Sequence, residues 1–263
     1  MGHFYEQLTD GVVTPRHFVP MTSRPDELRP TRISDVRKWW NEGRQVVPSV
    51  TTVLNVLDKP GLNTWRVDSH LRVAINVDQR TDVEQWIAEV KRLAELEMDK
   101  APQAGTDIHK SLEMWFADQL DDLPADEHID ICVNVERVIS IETAVEKLGV
   151  SPWQPERNFV DARGFGGQAD LSGSGWVIDF KSKQTADKFK PGKMAYDEHK
   201  MQLAAYREGL GMPSARCANV FICLEDGQVD FHEHKPDELD KGWQLFQHAL
   251  AIWQLQHGHG PGG

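Results

Sequence analysis

Cysteine is scarce in this sequence. Cys132, Cys217 and Cys223 are the three among 263 residues, too few and too scattered for a disulfide framework and one short of the four thiolates of an iron–sulfur cluster. Long apolar runs are missing too. No stretch approaches the ~20 residues that span a bilayer, and the first residues carry neither the basic nor the apolar region of a signal peptide. A cytoplasmic protein with no membrane association is expected. There is no internal repeat, and no heptad run is long enough for a coiled coil. Cations are in deficit, 29 Lys and Arg against 41 Asp and Glu for a net charge of −12, so bulk charge alone would not hold a polyanion.

What is present suffices for one substantial core. With 40% hydrophobic residues, one compact domain over residues 48–257 is the default. Residues 1–47 carry Pro15, Pro20, Pro25 and Pro30 and little periodicity, which reads as an extended arm or irregular cap. Arg37-Lys38-Trp39-Trp40 interrupts it, either as an indole anchor to the core or as a stacking platform for single-stranded bases. Residues 48–149 read as a helical layer, with Ser49 as an N-cap and helices over Val50 to Leu57, Leu62 to Val77, Val83 to Met98, Thr106 to Leu120 and Ile129 to Leu148. Residues 150–257 read as an α/β core. Strands over Glu156 to Ala162, Phe165 to Leu171 and Trp176 to Lys181 form a meander, followed by a helix over Asp197 to Gly211. Strands over Cys217 to Leu224 and Val229 to Glu233 come next, then a helix over Pro236 to Gln256. Residues 258–263 read as a disordered tail.

Chemistry concentrates in Gly167-Gln168-Ala169-Asp170 and Trp176-Val177-Ile178-Asp179-Phe180-Lys181. The turn signal Leu171-Ser172-Gly173-Ser174-Gly175 between them predicts a tight hairpin, so the chain folds back and brings two carboxylates together. On a strand Asp179 and Lys181 share a face with Val177, while Ile178 and Phe180 take the other. Two carboxylates and a peptide carbonyl can hold magnesium, and a compact ammonium beside them can orient water or stabilise charge on phosphorus oxygens. Gln202 and Tyr206, four apart on a helix, present an amide and a phenol on one face. His109, one turn into the helix that opens at Ala104-Gly105-Thr106-Asp107-Ile108, offers an imidazole.

Two other motifs are set aside. Gly164-Phe165-Gly166-Gly167-Gln168-Ala169 fits a dinucleotide fingerprint in letters, but a strand follows it where a helix is needed; its glycines instead suit a close approach of DNA backbone or a neighbouring strand. His232-Glu233-His234 places two imidazoles on one face of an edge strand without further metal-binding partners.

In order and kind these residues resemble the PD-(D/E)XK nuclease superfamily, and within it the RecB-like exonuclease branch, in particular phage-type stand-alone exonucleases that open on Pro-Ser-Val-Thr, here Pro48 to Thr51. His109 matches the family's histidine, Asp170 its first aspartate, Asp179 and Lys181 its Asp-x-Lys, and Gln202 and Tyr206 its Gln-x-x-x-Tyr. Glu156 corresponds more weakly to a further glutamate. The cysteine count departs from the iron–sulfur members of the family. The resemblance implies a restriction-endonuclease-like αβββαβ core with a mixed central sheet and an added N-terminal helical layer. It also implies a metal-dependent DNA exonuclease of recombination, repair or phage DNA processing.

On this reading Mg2+, with Mn2+ also accepted, would be held by Asp170, Asp179, the Phe180 carbonyl and His109. Asp170, Asp179 and Lys181 would be catalytic, and Gln202, Tyr206 and Lys183 would meet the substrate. Products would carry a 5′ phosphate and a 3′ hydroxyl. The partners implied are single- or double-stranded DNA ends, with room for a strand-annealing or other recombination protein, in a bacterial or phage-infected cell. Acid gathers in Asp118 to Asp130, Glu84 to Glu97 and Asp237 to Asp240. Near the site Lys181, Lys183, Lys188, Lys190, Lys193 and Lys200 outnumber Asp187, Asp197 and Glu198, a local balance that suits phosphate recruitment. Two other readings use the same core: a site-specific endonuclease, and a DNA-binding protein of nuclease fold without turnover.

Overall fold

The computed structural model describes residues 3–21, 24, 26–78, 82–117, 141–142, 145–149, 152–173 and 175–259, with main chain only over 99–107. Cys132, the acidic run from Asp118 to Asp130, most of the helix expected over Ile129 to Leu148, Ser174 and the last four residues lie outside the described residues.

The centre is a five-stranded mixed sheet. Strands β6 (Gln154–Asp161), β7 (Phe165–Gly173) and β8 (Trp176–Lys183) form the expected antiparallel meander. Strand β9 (Arg216–Cys223) lies parallel to β8, and β10 (Val229–His234) closes the edge antiparallel to β9. A parallel neighbour requires a crossover, and helix α5 (Asp197–Gly209) supplies it. Helix α4 (Val83–Phe116) precedes the meander, so the expected αβββαβ order is present.

Both faces of the sheet are covered, which is why the central strands read as near-continuous apolar runs. On one face Val177, Phe159 and Phe165 pack with Val53 and Leu54 of helix α2 (Val50–Leu54), Leu203 and Ala204 of α5, and Phe246 and Trp253 of helix α6 (Pro236–His257). On the other, Leu171, Ile178, Phe180, Val220 and Ile222 pack with Ile108 and Leu112 of α4. The alternation along β8 is thus the one its sequence predicts.

Three features differ from the sequence expectation. Residues before Pro48 are not irregular: β1 (Phe4–Gln7) pairs with β2 (Val13–Pro15) and β5 (Gln45–Pro48), β3 (Phe18–Pro20) pairs with β4 (Leu28–Pro30), and helix α1 (Ile33–Asn41) follows. Pro15, Pro20 and Pro30 each end a strand, where a missing N–H costs little. Second, α4 is one helix of 34 residues where a break before Thr106 was expected. Its two halves are anchored separately, Val90 and Ala94 against Val73 of helix α3 (Pro60–Asn76), and Ile108 and Leu112 against the sheet. Third, the expected tail begins in order: Gly258 caps α6 with a left-handed φ of 64°, and the His259 ring stacks 3.6 Å from that of Trp40. Trp40 also donates to the Val46 carbonyl at 2.7 Å and meets Trp253 edge-on, the anchoring role.

Ser49 accepts from the Thr52 N–H at 3.0 Å as the N-cap of α2, and it bridges to Gly166 of β7. That bridge brings the N-terminal sheet onto the central one. A Cβ at Gly166 would sit 2.8 Å from the Phe159 carbonyl oxygen, 3.1 Å from Val47 and 3.2 Å from Tyr5. Gly166 of the rejected fingerprint therefore serves close strand approach. Gly166→Ala is expected to destabilise the protein by about 1–3 kcal/mol, the range for overpacking a filled core, read as a lower urea midpoint with unchanged slope.

Candidate active site

The site arises where the sheet is interrupted. The β7–β8 ladder runs through Gly173↔Trp176, Ser172↔Val177 and Leu171↔Ile178 and stops. The next opposing pair is Asp170 and Asp179, and there the Asp170 carboxylate takes the place of a ladder acceptor, its Oδ2 receiving the Phe180 N–H at 2.7 Å. The β6–β7 ladder is interrupted at the same level. It pairs Pro155 with Leu171 and Arg157 with Ala169, leaving Glu156 opposite Asp170, and Glu156 has a φ of 47°, a left-handed backbone costly for a residue with a Cβ. Ala169 packs in one core cluster and Leu171 in the other, although residues two apart on a regular strand share a face. The disturbance centres on Asp170.

The same level continues across the sheet. Asp179 pairs with Asn219 of β9, and Asn219 with His232 of β10. Glu156, Asp170, Asp179, Asn219 and His232 thus form one polar row across five strands.

Asp179 is 1% exposed, and its carboxylate is held by three donors. Lys181 Nζ lies 2.8 Å from Oδ1 and 2.6 Å from Oδ2, Gln202 Nε2 donates to Oδ1 at 3.0 Å, and Asn219 Nδ2 donates to Oδ2 at 2.7 Å. Gln202 also donates to the Tyr206 hydroxyl at 2.9 Å. Gln202 and Tyr206 are both buried, Gln202 against the Asp179 carboxylate and Tyr206 behind it. Gly167 makes room for the rings of Phe159 and Tyr206, since a Cβ there would sit 2.9 Å from the first and 3.0 Å from the second. His109 presents Nδ1 3.6 Å from Asp170 Oδ2 and meets the Phe180 ring edge-on. The atom of Phe180 that engages Asp170 is its N–H.

Negative charge is under-compensated here. Burial, then repulsion from Asp179, pushes Asp170 up, against the opposing pull of His109, Lys181 and the Phe180 N–H. Glu156 is pushed up to about 8 by burial, Asp170 and Glu113. The phenols of Tyr5 and Tyr206 are raised by burial and then by these carboxylates. For Lys181 burial pulls down, but Asp179 and Asp170 hold its ammonium above the usual range. Lys183 is pulled down by burial and by Lys181, and its Nζ stands 5.5 Å over the Tyr196 ring.

A divalent cation is implied by the resemblance, and the residues suit one in kind. Asp170 and Asp179 are hard oxygen donors, and Asp170 sits where an added positive charge would relieve repulsion. No finished coordination shell accompanies them: among the described residues no group of three or more His, Cys, Asp or Glu is arranged to hold a metal ion.

The structure also brings in residues that the motif did not contain. Tyr5 arrives from β1 and Glu113 from α4, one turn beyond His109. Asn219 lies inside the apolar run Cys217 to Cys223, where a fully buried amide is itself a signal. His234 gives its Nε2 to Asn219 Oδ1 at 2.7 Å.

No protein-family model and no curated protein matches the chain. Among solved structures it is similar to a provisionally named exonuclease from Eubacterium rectale, at 13% identity over 60% of this chain and 68% of that one, with a TM-score of 0.43. It is also similar to an alkaline exonuclease from Laribacter hongkongensis, at 16% identity over 44% of this chain and 63% of that one, with a TM-score of 0.31. Likeness at these scores says nothing of activity.

The raised Glu156 carboxyl has a consequence for stability. Below the ordinary glutamate range both folded and unfolded chains are protonated and there is no penalty. As pH rises toward about 8 the unfolded chain ionises first, so stability is lost across that interval. Glu156→Gln is therefore expected to raise the urea midpoint in EDTA, by a margin that widens between pH 5 and pH 8. A margin constant with pH would show that Glu156 does not retain its proton.

Proposed function

We propose that this chain is a metal-dependent deoxyribonuclease that hydrolyses phosphodiester bonds from DNA ends. The observation that carries the reading is the interruption of the sheet at Asp170 and Asp179, which sets two opposed carboxylates beside Lys181. A structural sheet has no use for this arrangement: burying carboxylates on neighbouring strands costs stability, and strained, charge-laden positions of this sort persist at functional sites.

Asp170 and Asp179 would hold Mg2+ or Mn2+, with His109 beside Asp170. The bound ion would supply Lewis acidity toward the phosphate and a lower pKa for the attacking water. The chain's own groups do the rest. Lys181 stands at Asp179, placed to orient the water or to donate to the developing phosphorane oxygens. Gln202, with Tyr206 behind it, fixes one oxygen of Asp179, which gives it a positioning role at that carboxylate. Lys183 has another cation and an aromatic ring as neighbours, so a phosphate is the partner that would relieve it. Exposed Lys188, Lys190 and Lys193 extend that positive margin along the β8–α5 connection.

The same reading assigns the chain to the RecB-like exonuclease branch, to DNA recombination, repair or phage DNA processing, and to a pathway with room for a strand-annealing or other recombination protein. Among the described residues no helix is long and apolar enough to cross a membrane.

Digestion of linear single-stranded, linear double-stranded and closed circular DNA, in Mg2+ and in Mn2+, tests this. Loss of the linear forms alone is expected, with Lys181→Ala slower by about 100-fold or more, the scale of removing one transition-state donor. Digestion of the closed circle would make the chain an endonuclease. Binding without turnover in either metal would make it a DNA-binding protein.

A further inference from the structure

We infer that Asn219 and His234 are positioning residues for Asp179: His234 sets the orientation of the Asn219 amide, and that amide sets the orientation of the carboxylate. The inference rests on the nuclease reading for its purpose, though not for its geometry.

Asn219 is 0% exposed and His234 2% exposed. A buried amide must have both ends satisfied, and an amide turned by 180° fills the same volume with donor and acceptor exchanged. One arrangement satisfies every atom here. Asp179 can only accept, so the NH2 of Asn219 faces it at 2.7 Å. Asn219 Oδ1 then points toward β10 and can only accept, so the ring nitrogen 2.7 Å away, Nε2 of His234, must carry its proton. Burial and the neighbouring His232 keep that imidazole neutral, against the weaker pull of Glu238 and Asp179. Each orientation is dictated by the next, and the sequence ends at an oxygen of the carboxylate that Lys181 also grips.

A second donor fixes the other oxygen, since Gln202 reaches Oδ1 from α5 while Asn219 reaches Oδ2 from β9. Lys181 lies near both oxygens and does not by itself choose a rotation of the carboxylate. The two amides do. A carboxylate pinned in this way presents its remaining lone pairs in one direction, which is what outer partners do for metal-binding carboxylates.

Three readings of wild type, His234→Leu and His234→Gln test the inference: the side-chain amide resonance of Asn219, Mn2+ binding followed by electron paramagnetic resonance, and DNA turnover. The Gln amide can replace the Nε2 donor. In wild type and His234→Gln the amide protons should be protected from exchange, and Mn2+ affinity and turnover should match. In His234→Leu protection should be lost, with Mn2+ affinity and kcat down by about 10–100-fold, the scale for outer-shell partners, and KM for DNA unchanged. If His234→Leu does not unfold cooperatively, Asn219→Leu, which keeps the shape without the amide, is read for the same losses of affinity and kcat. A folded variant with wild-type affinity and turnover overturns the inference, as does an amide that is unprotected in wild type or stays protected in His234→Leu. Should wild type cleave nothing, the nuclease reading fails alone, and amide protection still decides the relay.

Discussion

Two carboxylates that oppose each other across adjacent strands govern the structure around them. Asp170 and Asp179 occupy a level at which a regular antiparallel ladder would continue, and the ladder ends one pair earlier. Like charges on facing strands repel, and repulsion from Asp179 does raise the Asp170 carboxyl, so the pair survives only with compensation. The compensation is specific and unequal. Asp179 receives an ammonium and two amides, while Asp170 receives one backbone N–H and a more distant imidazole. Burial and repulsion accordingly push Asp170 up, and an added cation would relieve it.

The surrounding architecture delivers those compensating groups from separate parts of the chain. Helix α5, required by the parallel β8–β9 pairing, carries Gln202, backed by Tyr206, to one oxygen of Asp179. Strands β9 and β10 carry Asn219, backed by His234, to the other. Helix α4 packs Ile108 and Leu112 on the opposite face of the sheet, which fixes the height at which His109 reaches Asp170. The N-terminal sheet closes on β7 at Gly166, bringing Tyr5 near enough to feel Glu156 and Asp170. A site polar across five strands is thus enclosed by two apolar clusters, and the enclosure makes its charges strongly interacting.

Legibility in the sequence followed the range of the interactions. The hairpin carrying Asp170, Asp179 and Lys181 was readable because strand period and turn signal act within a dozen residues. The face shared by Gln202 and Tyr206 was readable from helical period, and the crossing of α5 over the sheet sets that face against Asp179 of the hairpin. The N-terminal strands were hidden because proline density suggests irregularity, whereas position at strand ends decides its cost. The continuity of α4 was hidden because its two halves are stabilised by different partners, α3 and the sheet. Asn219 stood in plain view as an amide within an apolar strand, yet only the register that sets it beside Asp179 gives it a role. Tyr5, far in sequence from Glu156 and Asp170, left no local sign of its place beside them.

Net charge and local field point in opposite directions, and the sheet explains how both can hold. A chain at −12 repels a polyanion at long range, and its acidic row would repel a phosphate at short range as well. Strand alternation places Lys183 on the same face as Lys181 and Asp179, and the connection that follows carries Lys188, Lys190 and Lys193 outward. Lys181 is neutralised by Asp179, but Lys183 faces another cation and an aromatic ring. Attraction for phosphate therefore rises from the acidic row toward the end of β8. Beyond a Debye length of about 10 Å at 0.1 M salt, the acidic remainder of the surface is largely screened. The positive margin then acts on a phosphate already near the site, so capture depends on local geometry more than on total charge.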